Sequence, residues 1–279
     1  MSRTPVFVLA LAALAPISLR AQTAHDIVVR SITADEQNQK LVAKYTFKEH
    51  ETTREMDGKG QVKSTKRTTR EVLFVGGKRT TRVLEKDGKP LPRDEAQKEQ
   101  VKIDKAFAEA SKISEEEMNR RLEEERRNRA KNRERLKYVP DAYDLKLLGE
   151  ENVDGRPAWI VQATPKGRYD GKYSNLFRNV QGKLWIDKRD YQWVKVDAEA
   201  LNDISFGMFM AKISKGMHLK FEQSRVNDEV WLPRMFQFTG SARFLVKRLS
   251  LDEQVLFSDY RKFQADSRVV SIAEADESK

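Results

Sequence analysis

The chain has 279 residues, no cysteine, 34% charged side chains and a formal net charge of +10. Without thiols it forms no disulfide, no Cys-ligated zinc site and no thiol nucleophile, so its core alone must hold the fold together.

The chain opens on Met1, Ser2, Arg3 and Thr4, followed by an apolar stretch from Pro5 to Leu19 and then Arg20, Ala21 and Gln22. A basic start, an apolar run too short to span a bilayer and a small residue before polar chain predict a secretory signal over 1–21. Cleavage is expected after Ala21, with Ala24 as the second choice. Its removal takes Arg3 and Arg20 and no acid, lowering the charge from +10 by two. The remainder reads as a single domain over 22–264 carrying a charged helical insertion at 94–138, with a polar tail at 265–279.

From Lys40 to Lys89 short polar-rich strands alternate with turns. Leu41, Val42, Tyr45 and Phe47 mark the first strand; Asp57-Gly58, Gly76-Gly77 and Asp87-Gly88 mark the turns. Asp94 with Gln97 has capping-box spacing and opens a helix with Ile103, Phe107 and Ala110 on one face. Ser114 with Glu117 repeats the signal, predicting a break near 111–114 and a second helix to about Lys137. Its acids come first and its bases last, the order that complements the helix dipole. From Glu123 to Arg135 its only apolar residue is Ala130, so it cannot be buried all round.

Strands return at Tyr143–Glu150, Ala158–Thr164, Lys183–Asp187, Gln192–Glu199, Ser205–Ile213, Met217–Arg225, Val230–Thr239, Ala242–Leu249 and Val255–Phe263. Turns are expected at Asp154-Gly155, Gln181-Gly182, Lys215-Gly216 and Asn227-Asp228. Strands joined by tight turns without intervening helices make an antiparallel sheet. The fold class is therefore mainly β, with the helical block placed to cover the sheet's apolar face.

Catalytic spacing is missing: there is no HExxH, GxSxG or phosphate-binding glycine loop, and His25, His50 and His218 stand among polar residues that predict solvent exposure. The chain reads as non-enzymatic, with no cofactor and no metal. Large soft side chains gather instead on one predicted sheet face: Trp159, Leu184, Ile186, Phe206, Met208, Met210, Met217, Leu219, Phe221, Phe236, Phe238 and Phe244. They line either a cavity for an acyl chain or similar apolar ligand, or an ordinary core packed under helices. Tyr169, Tyr173, Leu176 and Phe177 form a candidate rim or gate. The basic half of the second helix suits an anionic membrane surface or an envelope protein; the lack of aromatic stacking residues and the expected export argue against nucleic acid.

From about Leu148 to Phe263 the phrases LLGEENVDGRPAWIVQATP, QGKLWIDKRDYQWVKVDAE, LKFEQSRVNDEVWLPRMFQFTGSARFLVKR and FSDYRKF resemble the outer-membrane lipoprotein-sorting superfamily, the LolA/LolB/RseB-like periplasmic proteins. The resemblance implies a curved, unclosed antiparallel β-barrel covered by a helical lid, with a cavity for lipid or lipoprotein acyl chains. The chain is accordingly expected to be a periplasmic carrier for such a ligand, or alternatively an envelope sensor module that binds a protein partner through its charged helix. The helices here are longer and more charged than that pattern, and the carriers' lid-closing arginine maps onto no single position.

Overall fold

A computed structural model describes residues 22–206, 211–244 and 247–262. The expected signal and polar tail lie outside the described residues, as do Met208 and Met210.

Helix α1 (Ala24–Val42) precedes β1 (Tyr45–Met56), β2 (Val62–Val75), β3 (Lys78–Lys86) and the two-residue β4 (Lys89–Pro90). Then come α2 (Arg93–Ala110), α3 (Glu115–Arg133), a 3-10 turn (Glu134–Tyr138) and a short α4 (Val139–Ala142). They lead to β5 (Tyr143–Val153), β6 (Arg156–Pro165), a one-turn α5 (Ser174–Phe177), β7 (Val180–Asp187) and β8 (Trp193–Ala200). The chain continues through β9 (Ile204–Phe206), β10 (Ala211–Ile213), β11 (His218–Val226), β12 (Val230–Phe244) and β13 (Lys247–Lys262).

The 13 strands of the described residues form one antiparallel sheet in the order β4-β3-β2-β1-β13-β12-β11-β8-β7-β6-β5, with β9 and β10 attached through β12. The edge strands β4 and β5 do not pair, so the sheet is unclosed. One row of cross-strand partners shows how its character changes. It runs Val161, Leu184, Val196, Phe221, Phe236 and Val255, then Glu51, Thr68 and Lys86. Directly opposed residues share a face, so along this row the face is apolar across the back half and polar or charged across the front.

Apolar and small residues at the spacing of one helical face seat α1 on the apolar half. Ile27 and Val28 are fully buried there with Val161, Leu184, Ile186 and Phe177. Each such side chain contributes roughly 1.5–3 kcal/mol of burial. Two polar anchors fix the register. Ser31 accepts a hydrogen bond from Trp193 Nε1 at 2.6 Å. Asn38 donates to the carbonyl of Trp231 and accepts from its N–H, each at 2.8 Å. Pairing of β12 with β13 begins only at Met235, so Asn38 stands in for the missing strand at Trp231.

The other helices divide between the two faces of the sheet. Arg82 of β3 bonds both Glu71 and Gln100 of α2, whereas Phe74, three residues from Glu71 and so on the opposite face, lies under Arg129 of α3. The α2–α3 connection passes over the Gly76-Gly77 turn, where a Cβ on Gly76 would meet that of Ala110 at 2.9 Å.

Several elements depart from expectation. Leu41 and Val42 end α1 instead of opening a strand, and it is α1, with α3 alone of the later long helices, that shares the apolar face. Helix α2 starts at Arg93 after Pro92 with no side-chain cap, so the Asp94–Gln97 box does not form. The Ser114 cap does form, its hydroxyl accepting from Glu117 N–H at 3.2 Å, and the helix boundary falls where expected. Gln181-Gly182 is strand, because Gly182 lets the backbone of Asp197 and Ala198 approach; a Cβ there would lie 2.7 Å from the Asp197 carbonyl oxygen. Ser205–Ile213 divides between β9 and β10, and β12 runs on through Gly240 and Ser241, joining the expected Val230–Thr239 strand to the start of the expected Ala242–Leu249 strand.

Candidate ligand-binding site

Helix α1 begins with a complete capping box, Asp26 N–H donating to Thr23 Oγ1 at 3.1 Å and Thr23 N–H to Asp26 Oδ2 at 3.3 Å. The Thr23 hydroxyl also donates to Asp26 Oδ2 at 2.7 Å, and this bond, with the smaller contribution of the Thr23 N–H, holds the Asp26 carboxyl below the usual aspartate value. With its inner face on the sheet, α1 turns a flank toward α3. Between them lies a cleft of about 620 Å³, within the roughly 300–1,000 Å³ range of small-molecule sites.

The α1 wall presents Ile32, Gln39 and Ala43 beside Asp35, Glu36 and Lys40; the facing wall of α3 and the 3-10 turn presents Leu122, Ala130 and Leu136 beside Arg126, Arg129, Arg133 and Lys137. Residues 122, 126, 129 and 133 share one side of α3 because each step is three or four positions. Five bases therefore border an apolar strip that carries only two acids.

The walls are joined at one end. Arg133 donates through Nε and Nη2 to both carboxylate oxygens of the buried Asp35, and Lys137 pairs with Glu36 at 3.0 Å. Arg129 packs over the Phe74 ring at 5.9 Å and lies 3.8 Å from Glu125, while Arg126 pairs with Glu123 at 2.8 Å. Lys40 on the opposite lip donates to Gln37 at 2.7 Å and makes no ion pair among the described residues.

None of the eight expected lining residues whose side chains are described borders this cleft. Trp159, Leu184 and Ile186 are buried beneath α1, and Met217, Leu219 and Phe238 pack with Ala200 and Ile204 in a second cluster. Phe221 and Phe236 oppose each other, half-buried, on the face shared with Leu184. Phe206 and Phe244 take register positions on either side of Ala211. The expected rim braces the 3-10 turn instead. The Phe177 ring meets Tyr143, Tyr169 and Tyr173 edge-on at 5.7–6.3 Å, Tyr173 donates to Glu134 at 3.0 Å, and Leu176 joins the Met217 cluster. The α1 wall was missed from sequence. The signal was there in Ile27, Val28, Ser31, Asp35 and Asn38, which recur at helical intervals.

His50 is more enclosed than expected, its ring nitrogens 3.3 Å from Thr69 Oγ1 and 2.9 Å from Ser258 Oγ. Among the described residues there is no helix long and apolar enough to cross a membrane and no cluster of metal-ligating side chains.

No protein-family model matches the chain, and no curated protein sequence matches it. Among solved structures it is similar to a Vibrio parahaemolyticus domain assigned as an outer membrane lipoprotein-sorting protein, at 12% identity and a TM-score of 0.35, covering 86% of this chain and 95% of that one. It is also similar to a LolA superfamily protein from Nitrosomonas europaea, at 10% identity and a TM-score of 0.34, covering 88% and 95%. A third is the Pseudomonas aeruginosa MucA/MucB complex, at 13% identity and a TM-score of 0.24, covering 87% and 99%.

Proposed function

We propose that this chain is an exported, non-enzymatic binding protein whose α1–α3 cleft takes an amphiphile with an apolar chain and an anionic group. The cleft carries this reading: Leu122, Ala130, Leu136 and Ile32 offer apolar surface, with Lys40 and four bases of the facing wall around it. Apolar burial supplies affinity at about 25 cal/mol per Å², and a carboxylate or phosphate at the lip gains charge-assisted hydrogen bonds from arginine.

Titration with cis-parinaric acid, a fluorescent fatty acid, tests the assignment. Ala130→Trp puts an indole into the cleft from an exposed helical position and is expected to weaken binding at least about tenfold, or 1.4 kcal/mol, with an unchanged melting temperature. Equal binding by a folded Ala130→Trp variant would remove the cleft as the site.

A further inference from the structure

Seven bases and one acid, Glu134, occupy residues 126–137. Four of those bases are engaged: Arg126 with Glu123, Arg129 with Glu125, Arg133 with Asp35 and Lys137 with Glu36. The other three, Arg127, Lys131 and Arg135, are exposed and make no ion pair or side-chain hydrogen bond among the described residues. They recur every fourth position, which sets them along one side of α3 and its 3-10 continuation, over about 12 Å at 1.5 Å per residue. Their side differs from the one that faces α1, since the lining residues 126, 129, 130 and 133 fall at other positions.

We infer that this stripe docks the protein onto an anionic phospholipid bilayer. A nearly straight row of unneutralised cations complements a flat anionic surface, and the long stems of Arg and Lys keep their charge in the headgroup layer. Asn128 and Asn132 flank the row, and no aromatic residue occurs from 115 to 137. A nucleic acid would meet no stacking platform there. No large apolar side chain interrupts the row, so the contact is peripheral and electrostatic. It rests on the outer surface of α3 alone and not on what occupies the cleft.

Flotation of the full chain with vesicles tests this. The protein is expected to float with phosphatidylcholine:phosphatidylglycerol vesicles in low salt, to stay behind with phosphatidylcholine alone, and to detach as salt shortens the screening length. Combined Arg127→Gln, Lys131→Gln and Arg135→Gln replacement should lower the partition about a hundredfold, at about fivefold per cation. The corresponding triple Glu variant, which reverses each charge, should lower it further. Neither should change cis-parinaric acid affinity, because none of the three lines the cleft. A folded triple Glu variant that floats like the unaltered protein overturns the inference. So does equal flotation with phosphatidylcholine, or tighter binding to a single-stranded RNA oligonucleotide than to the anionic vesicles.

Discussion

Helices α1 and α3 each have 19 residues and lie on the same face of one sheet, yet they are held in different ways. Helix α1 buries Ala24, Ile27, Val28, Ser31, Asp35 and Asn38, whereas α3 buries nothing. The sheet beneath explains this. Under α1 the cross-strand row is Val161, Leu184 and Val196, whereas α3 passes over the Gly76-Gly77 end of β2 and β3, where Arg129 lies over Phe74 and Arg121 packs against Gly77. A helix over the apolar centre of the sheet is held by burial; one over a turn at its edge is held largely by ion pairs that can open. A cleft forms where these two kinds of attachment meet.

Breaking the firmer attachment should have the largest effect. Asn38→Leu leaves the N–H and C=O of Trp231 without their partner, at roughly 1–3 kcal/mol for each buried unsatisfied group. A loss of about 2–4 kcal/mol in urea denaturation is expected, with no change in the slope. Loss of less than about 0.5 kcal/mol would mean that Asn38 does not anchor α1.

Breaking the looser attachment costs less and acts locally. Arg133→Met removes the link to Asp35; the Arg133 side chain is 41% exposed, which places the cost between the values for surface and buried pairs, at about 1–2 kcal/mol. Hydrogen exchange should accelerate through α3 while amides of α1 stay protected. Uniform acceleration in both helices would show that they unfold together.

The smallest effect lies where the apolar row gives way to charge. Burial raises the Glu253 carboxyl above its ordinary value and Glu51 raises it further, with Arg70 opposing. The folded state therefore holds this proton more tightly than the unfolded one, so the residue costs stability at neutral pH and recovers it as pH falls through its raised value. Glu253→Gln should stabilise by under about 1 kcal/mol at pH 7 and bring no gain below the unfolded pKa of 4.5. A benefit that persists in acid would point to packing instead of charge. Asp187 runs the other way. Its burial opposes ionisation, but Arg156 and the N–H groups of Asp190 and Arg189 outweigh that and hold it below the usual aspartate value.

Most strands and the α2–α3 boundary were legible in the sequence because turn chemistry is local: Asp154-Gly155 and Asn227-Asp228 both adopt the positive φ that short hairpins require. Helix α1 was not. Its inner face is closed by Ser31, Asp35 and Asn38, whose apolar-like placement depends on partners 98 to 193 residues away. The bases of the site were visible as a run in α3, but which of them border a cleft depends on where α1 lies. Gly182 read as a turn for a similar reason: a glycine needed for close approach has the same letter as one needed for a bend. Gly240 sits in β12, where a Cβ would lie 3.0 Å from Met217.

Strand β1 pairs with β13 from Tyr45↔Lys262 to Glu55↔Leu251, joining residues about 200 positions apart. Until the last strand emerges, β1 to β4 and β5 to β12 are two separate sheets with raw edges. Contacts this distant in sequence slow folding, and a chain that finishes its sheet last stays unfolded and threadable for longer. Truncation before Leu251 would be expected to leave two half-sheets, each exposing a strand edge prone to pairing with neighbours.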